Sequence, residues 1–319
     1  MRKLTFLSIA ICAAFGYAAV THAGNSGSVA QYGTGNSGTV DQVAGDGNYA
    51  GIYQSGDSNY ARTIQGWFDT AYYSAAGITQ LGSSNSANVW QGVYGAVYAV
   101  SGGIYQAGTS NNAFIQQDNS SYSSAAISQY DSSLANNAGI YQYGAYASRA
   151  SIIQSDKDGW GNSNNQANIN QYAWNSMAEI TQDGDVYHTA RINQSGGGWD
   201  EEGGSVGNSA KIDAYATWYA TALINQAGTL NTAAINQSFA SYSNATIDQD
   251  GFNNMATINQ TSWSNNGAIT QSASNNTATI NQGGHFDGNF NNAVITQVTS
   301  GNTAMITQSG GGNTAAVHQ

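Results

Sequence analysis

The sequence predicts an all-β protein, a β-solenoid in which each turn, or rung, contains two strands. Three observations support this prediction: a repeat of about 11–13 residues runs through the chain, its residue types recur at every second position, and proline is absent. Charged residues are only 8% of the 319 residues, against about 25% in ordinary globular proteins. Such a chain is expected to gain order by stacking repeats rather than from a thick apolar core.

The repeat has the form Asn-x-Ala-x-Ile-x-Gln and occurs 24 times. Its last position is Gln in every repeat except one, where Ala214 stands instead. A β-branched residue always lies two positions earlier, and Ala or Gly four positions earlier. Because alternate residues of a strand share a face, these residues are predicted to point inward. The last positions are residues 31, 42, 54, 65, 80, 91, 106, 117, 129, 142, 154, 171, 182, 194, 214, 226, 237, 249, 260, 271, 282, 297, 308 and 319.

Two repeats are predicted to form one rung, so the chain would contain about 12 rungs. Equivalent residues of successive rungs would then lie on one another, and the Asn and Gln amides would hydrogen-bond from side chain to side chain as in amyloid. Glycines two residues after Gln, such as Gly33 and Gly56, allow the positive φ that a tight arc between strands needs. The absence of proline fits, since every backbone N–H is needed between rungs.

The first 23 residues are predicted to be a secretory signal peptide. Arg2 and Lys3 precede the apolar run Leu4–Val20, and small residues stand before a cleavage point at Gly24. The run is short for a transmembrane helix, so no membrane span is expected. The only cysteine, Cys12, lies in this segment, so disulfide bonds are not expected to hold the secreted chain.

The two ends of the repeat array predict self-association. The first repeat begins at Asn25, and the last, Asn313–Gln319, matches the repeat pattern fully. Uncovered strands at a solenoid end offer N–H and C=O groups to another chain. We therefore expect head-to-tail growth of identical chains into a fibre.

The repeat, with its Gln-x-Gly-x-x-Asn arcs, resembles the curlin repeat of curli, the extracellular functional amyloid of bacterial biofilms. The resemblance covers nearly all of the chain after the signal peptide, and residues 48–319 are the predicted amyloid core. It implies a secreted structural subunit that polymerises with itself into fibres on the bacterial cell surface, for adhesion and cell aggregation. It also implies two partners besides the chain itself: an outer-membrane export channel and a nucleator subunit.

Residues 24–47 have two interpretations. Curlin subunits have an export segment rich in Gly and Asn before their repeats, so this segment is either an export signal or a degenerate first rung. The residues that resemble the export segment are Gln31, Tyr32, Gly33, Gly35 and Asn36.

The resemblance also implies which residues drive polymerisation, namely the stacked residues of the terminal repeats. Near the start these are Asn48, Gln54, Asn59 and Gln65, and near the end Ile295, Gln297, Asn302, Ile306, Gln308, Asn313, Val317 and Gln319. Nucleator subunits tend to end in a charged, irregular repeat. This chain ends on a regular one, which favours the major fibre subunit over the nucleator.

Enzyme activity, a cofactor and a metal site are not expected. The four histidines are scattered, so no catalytic arrangement can be assigned. We interpret the acidic groups as solvated loop charges. These groups are Asp156 and Asp158, Asp183 and Asp185, and Asp200–Glu202.

Two other binding functions fit the sequence less well. An ice-binding or adhesive β-solenoid is the alternative of a different class, and ice binding would need a continuous outward row of Thr. Outward pairs here are mixed, such as Thr257 with Asn259 and Lys211 with Asp213. The net charge of −11 argues against nucleic acid as a partner.

Overall fold

The computed structural model describes residues 24–130, 134–156, 163–195, 207–284 and 290–319. These residues form two 12-stranded parallel sheets and one two-stranded pair. Sheet I contains β1 (Ser26–Tyr32), β3 (Tyr49–Asp57), β6 (Ala75–Ser83), β9 (Ser101–Thr109), β11 (Ser124–Gln129), β13 (Arg149–Ser155), β15 (Met177–Asp183), β17 (Ser209–Tyr215), β19 (Thr232–Ser238), β21 (Met255–Gln260), β23 (Thr277–Gln282) and β25 (Thr303–Gln308).

Sheet II contains the strands that alternate with these along the chain. They are β2 (Ser37–Gln42), β4 (Tyr60–Gln65), β7 (Ser86–Gln91), β10 (Asn112–Asp118), β12 (Asn137–Tyr143), β14 (Gln166–Tyr172), β16 (Thr189–Ser195), β18 (Thr221–Gln226), β20 (Asn244–Gln249), β22 (Asn265–Gln271), β24 (Asn291–Gln297) and β26 (Thr314–His318). The two-stranded pair is β5 (Ala71–Tyr72) with β8 (Val97–Tyr98).

The sheets keep the repeats in register. In sheet I, Gln54 pairs with Gln31 on one side and with Gln80 on the other. In sheet II, Gln65 lies between Gln42 and Gln91 in the same way. The chain crosses from one sheet to the other after each repeat, so two strands make one rung. The predicted all-β solenoid with two strands per rung and 12 rungs is therefore confirmed.

Burial alternates along each strand as the period of two predicted. In β19, Ala233, Ile235 and Gln237 are buried, whereas the residues between them face outward. The isoleucines of interior rungs, such as Ile235 and Ile247, have no exposed surface. Stacked Ala and Ile residues of both sheets form one continuous core that runs the length of the solenoid.

The arcs that follow sheet I strands in the first rungs require glycine for a steric reason. Gly56 has φ 115° and Gly82 has φ 112°. A Cβ atom added to Gly56 would lie 2.0 Å from the carbonyl oxygen of Gly82 in the next rung. Only glycine combines this positive φ with so close an approach of two backbones, so the predicted role of these glycines is confirmed.

A second left-handed position was not expected from the sequence. In most repeats, the residue just before the Asn position has positive φ although it is not glycine, as in Tyr122 (φ 52°) and Ala147 (φ 49°). This residue turns the chain from the arc into the next strand. A non-glycine residue in this conformation costs about 1–2 kcal/mol, which stacking between rungs must offset.

Two of the longer connections add structure of their own. The connections that follow Gln65 and Gln91 contain β5 and β8, whose residues Ala71 and Val97 pack with Val100 in a small separate cluster.

Replacing Ala147 with glycine is expected to stabilise the protein by about 1 kcal/mol, because glycine adopts the left-handed conformation without steric cost. The matched control is Ala126→Gly in β11, an exposed alanine in an extended strand, which should destabilise by about 0.5–1 kcal/mol. Urea unfolding followed by circular dichroism measures both. Equal destabilisation by the two variants would contradict the assigned strain at Ala147.

Candidate functional site

The glutamines form hydrogen-bonded ladders inside both sheets; the ladder of sheet II is continuous from Gln42 to Gln319, and that of sheet I is interrupted at Ala214. In sheet I, Gln54 Nε2 donates to Gln80 Oε1 at 2.7 Å, and Gln80 Nε2 donates to Gln106 Oε1 at 2.8 Å. In sheet II, Gln65 Nε2 donates to Gln91 Oε1 at 2.8 Å. All these side chains have no exposed surface. The predicted Gln-on-Gln ladder is confirmed, and it satisfies amides whose burial would otherwise be costly.

Each glutamine also ties the two sheets together. The Nε2 group of Gln80 donates to the backbone oxygen of Tyr60, at the start of β4, at 2.9 Å. From the other sheet, Gln65 Nε2 donates to the backbone oxygen of Ser74 at 3.1 Å. One amide thus bonds along the stack and across it. Sequence reasoning did not find this second bond, because it depends on the distance between the sheets.

The asparagines act on the backbone rather than mainly on one another. Asn48 Oδ1 accepts from the backbone N–H of Ser74 at 3.0 Å, and its Nδ2 donates to the backbone oxygen of Ala71 at 2.6 Å. Asn85 repeats this pattern with the N–H of Asn111 at 3.0 Å. Amide pairs do occur, as from Asn85 to Asn59 at 3.2 Å. The prediction of a general Asn-to-Asn amide ladder was therefore wrong, since each asparagine sits at a corner where an arc amide needs an acceptor.

The predicted self-assembly residues near the start lie inside the stack. Asn48, Gln54, Asn59 and Gln65 belong to the second rung, and Gln54 accepts from Gln31 as well as donating to Gln80. The end face on this side consists instead of residues of the first rung. Their counterparts there are Asn25, Gln31, Asn36 and Gln42.

The predicted residues near the other end do lie at or next to an end face. Ile295 and Gln297 belong to the eleventh rung, and Gln297 Nε2 donates to Gln319 Oε1 at 3.0 Å. The remaining six belong to the twelfth rung, in which Val317 is half-buried and Gln319 is exposed. These six are Asn302, Ile306, Gln308, Asn313, Val317 and Gln319.

Both ladders have a direction. In every Gln-to-Gln bond of the described residues, Nε2 belongs to the rung nearer the N-terminus and Oε1 to the next rung, from Gln31→Gln54 to Gln297→Gln319. The first rung therefore presents Oε1 acceptors, and Gln319 presents an Nε2 donor. The asparagine acceptors point in the opposite direction to the glutamine acceptors. Asn25 Oδ1 accepts from Asn48 N at 2.9 Å, so the asparagine Oδ1 atoms point toward the last rung. The two end faces are complementary in hydrogen bonding.

Among the buried ionisable groups of the described residues, Asp185 and His188 have no exposed surface, and the sequence did not reveal the burial of either. The Oδ1 atom of Asp185 accepts from Thr217 N at 2.7 Å and Thr217 Oγ1 at 2.9 Å, whereas Oδ2 has no partner among the described residues. Burial raises the pKa of Asp185 to about 8. The interpretation as solvated loop charges was wrong for Asp185 and for Asp156, both of which are buried. Asp183 is half-buried at the end of β15. Asp158 and Asp200–Glu202 lie outside the described residues.

The second buried group is His188. Its side chain has no exposed surface, and it occupies an Asn position of the repeat, just before β16. Desolvation lowers its pKa to about 4, although Gln237 opposes the shift by bonding to the ring. The imidazole is therefore neutral in the folded protein at neutral pH.

Metal binding and membrane insertion find no support in the described residues. They contain no group of three or more His, Cys, Asp or Glu side chains placed to hold a metal ion. Within the same part of the chain, no helix has the length and apolar character to cross a membrane.

The fold and its interior define a class of protein: a parallel β-solenoid whose rungs are joined by buried amide ladders. The family description that matches this chain is the curlin associated repeat, at residues 23–56 and 287–310. In these two regions the chain is therefore similar to curlin associated repeats, as the resemblance predicted. The comparison with curated proteins gives no match.

The two buried groups predict opposite pH dependences. His188 is neutral when folded but protonates near pH 6.5 when unfolded, so its contribution to stability falls as pH drops from about 6.5 to 4. Asp185 is protonated when folded up to about pH 8 but ionises near 3.8 when unfolded, so its contribution falls as pH rises from about 4 to 8. Between about pH 4 and 6.5 the two effects cancel.

Replacing Asp185 with asparagine should remove this cancellation. The variant should lose about 3 kcal/mol of unfolding free energy between pH 6.5 and 4, because only the histidine effect remains. Urea unfolding at several pH values measures it, with Asp250→Asn as the control at an exposed carboxylate. A slope for Asp185→Asn that equals the wild-type slope would show that these groups do not titrate as assigned.

Proposed function

We propose that this chain is a secreted structural subunit that polymerises head to tail into curli-type amyloid fibres outside the bacterial cell. The observation that carries the proposal is the complementarity of the two end faces. The first rung offers Gln31 and Gln42 oxygens, and the last rung offers the Nε2 group of Gln319. A second copy would continue both ladders without a change of pattern.

The partial burial of the end rungs supports the same conclusion. Val29 in the first rung is 38% exposed, whereas Ile152 and Ile180 at the same position of interior sheet I strands have no exposed surface. Adding a copy at each end would bury this apolar surface and pair the free edges of the outer strands. The fibre would serve surface adhesion and cell aggregation in a biofilm matrix.

The export channel and the nucleator subunit are proposed partners on the strength of the repeat family. The regular last repeat, Asn313–Gln319, favours the major fibre subunit over the nucleator. The export role of residues 24–47 stays a prediction; residues 26–32 and 37–42 form β1 and β2 of the first rung.

The ice-binding alternative receives no support from the outward columns of sheet I. Thr257 pairs with Thr279, but the next residues in that column are Ala234 on one side and Met305 on the other. A flat row of threonines, which an ice-binding face would need, does not extend over these four rungs.

Fibre diffraction tests the assembly itself. Fibres of the purified chain should give a meridional reflection near about 4.7 Å, which is the spacing of strands stacked along the fibre axis. Electron microscopy should show unbranched fibres that grow from added seeds. Absence of both fibres and this reflection would rule out the proposed function.

The Gln319→Glu variant tests the direction of growth. The introduced carboxylate can still accept from Gln297, but it has no N–H for Gln42 of the next copy and would bury an unpaired charge there. When the variant is mixed with wild-type protein at about one part in 20, it should add to one end of a growing fibre and block further addition there. The seeded growth rate should then fall several-fold. The control is His318→Glu, which places the same charge on the outward face of the same end.

Equal growth rates with Gln319→Glu and His318→Glu would disprove the proposed donor-to-acceptor contact, while normal cross-β fibres would still uphold the assembly.

A further inference from the structure

The glutamine ladder of sheet I has one gap, at Ala214 in β17. Gln182 lies one rung before it and Gln237 one rung after it, in strict register. Ala214 is only 2% exposed. An alanine here removes the amide that should accept from Gln182 and donate to Gln237. Without compensation, the gap would leave a cavity and two buried amides without their ladder partners.

The imidazole of His188 fills this gap. Its Nδ1 lies 2.8 Å from Gln182 Nε2, and its Nε2 lies 2.7 Å from Gln237 Oε1. Because Gln182 donates and Gln237 accepts, the ring must be neutral with its proton on Nε2. Hydrogen bonds then run from Gln182 through the ring to Gln237 in the same direction as elsewhere. One imidazole replaces one glutamine amide, although it comes from the strand-to-strand connection before β16 rather than from β17 itself.

Residues of the adjacent rung leave room for the His188 side chain. The Asn position directly above His188 is occupied by Ala220, whose backbone oxygen accepts from Thr189 N at 3.0 Å. Outside the same corner, Tyr187 stacks on Tyr219 with ring centroids 4.9 Å apart and planes 9° apart. The rung that carries Ala214 therefore has small residues where the imidazole needs room, and a tyrosine to stack on Tyr187.

This match matters because the other rungs are nearly interchangeable. With the same inward Ala, Ile and Gln residues in most rungs, a shift by one whole rung would preserve most contacts. Such a shift at this point would press His188 against a full glutamine side chain, or leave the Ala214 gap unfilled. Either outcome destabilises the fold: the first through overpacking, and the second through buried amides that lack hydrogen-bond partners.

We propose that His188 and Ala214 together form a register key, a complementary pair that allows only one order of rungs in the middle of a highly repetitive solenoid. The pair acts against misregistered folding, in which a rung is looped out and its neighbours pair directly. The register key concerns folding of the single chain, so it holds independently of fibre assembly.

A double-mutant cycle tests the complementarity. His188→Asn leaves the gap unfilled, and Ala214→Gln competes with the ring for one space. Each single variant should lower the thermal midpoint by about 5 °C or more. The double variant restores the repeat pattern at both positions and should return to within about 2 °C of the wild type. Additive losses in the double variant would overturn the proposal. If both single variants fail to fold, recovery of folding in the double variant is the supporting result, and failure of all three overturns it.

Disulfide trapping tests register itself, in a chain with Cys12 replaced by serine. Thr189 and Thr221 are paired outward residues of adjacent rungs, and Asn244 is the next residue in that column. A Thr189→Cys/Thr221→Cys pair reports correct register, and a Thr189→Cys/Asn244→Cys pair forms a disulfide only when one rung is looped out.

With the register key intact, refolding should give only the correct-register disulfide. In the His188→Asn/Ala214→Gln background, the looped-out disulfide should increase at least about tenfold, because the restored pattern no longer distinguishes neighbouring rungs. The same low yield of that disulfide in both backgrounds would show that the pair does not determine register.

Discussion

The hydrogen bond from one glutamine amide to the next is the interaction on which this structure depends. The side chains between the sheets are small, mostly Ala and Ile, so the apolar core is thin. A thin core must still enclose polar amides, and a buried amide is tolerated only when its donors and acceptor are paired. Stacking identical residues in parallel register meets this condition, because each amide finds its partner in the adjacent rung.

The same requirement explains the features around the ladders. Asparagine and serine at the corners accept from arc N–H groups, as Ser123 Oγ does from Ser148 N at 3.2 Å. Gly82 and its equivalents let the backbones of successive arcs approach closely. In most repeats the residue before the asparagine position is strained, and this strain is tolerated because the stacked strands fix both of its neighbours. Each of these features repeats because the rung repeats.

Direction and register are separate consequences of the ladder. Direction arises because an amide has different atoms at its two ends, so a ladder that starts with acceptors finishes with donors. Register is not determined by the ladder, since identical rungs would stack equally well in another order. The irregular residues supply this information: His188 and Ala214 match each other and do not match the regular positions.

The sequence by itself determined the fold class, the strands, their inward faces and the number of rungs. These follow from a period of two within each repeat and from the even spacing of repeats, both of which are local properties. It also indicated the curlin repeat and the role of glycines such as Gly56. It did not reveal that asparagines bond to the backbone, that Asp185 is buried, or that Gln80 bonds across to sheet II. Nor did it reveal that His188 completes the ladder at Ala214. Only the tertiary structure decided these, because each depends on atoms brought together from residues in different strands and arcs, whose separation no local pattern encodes.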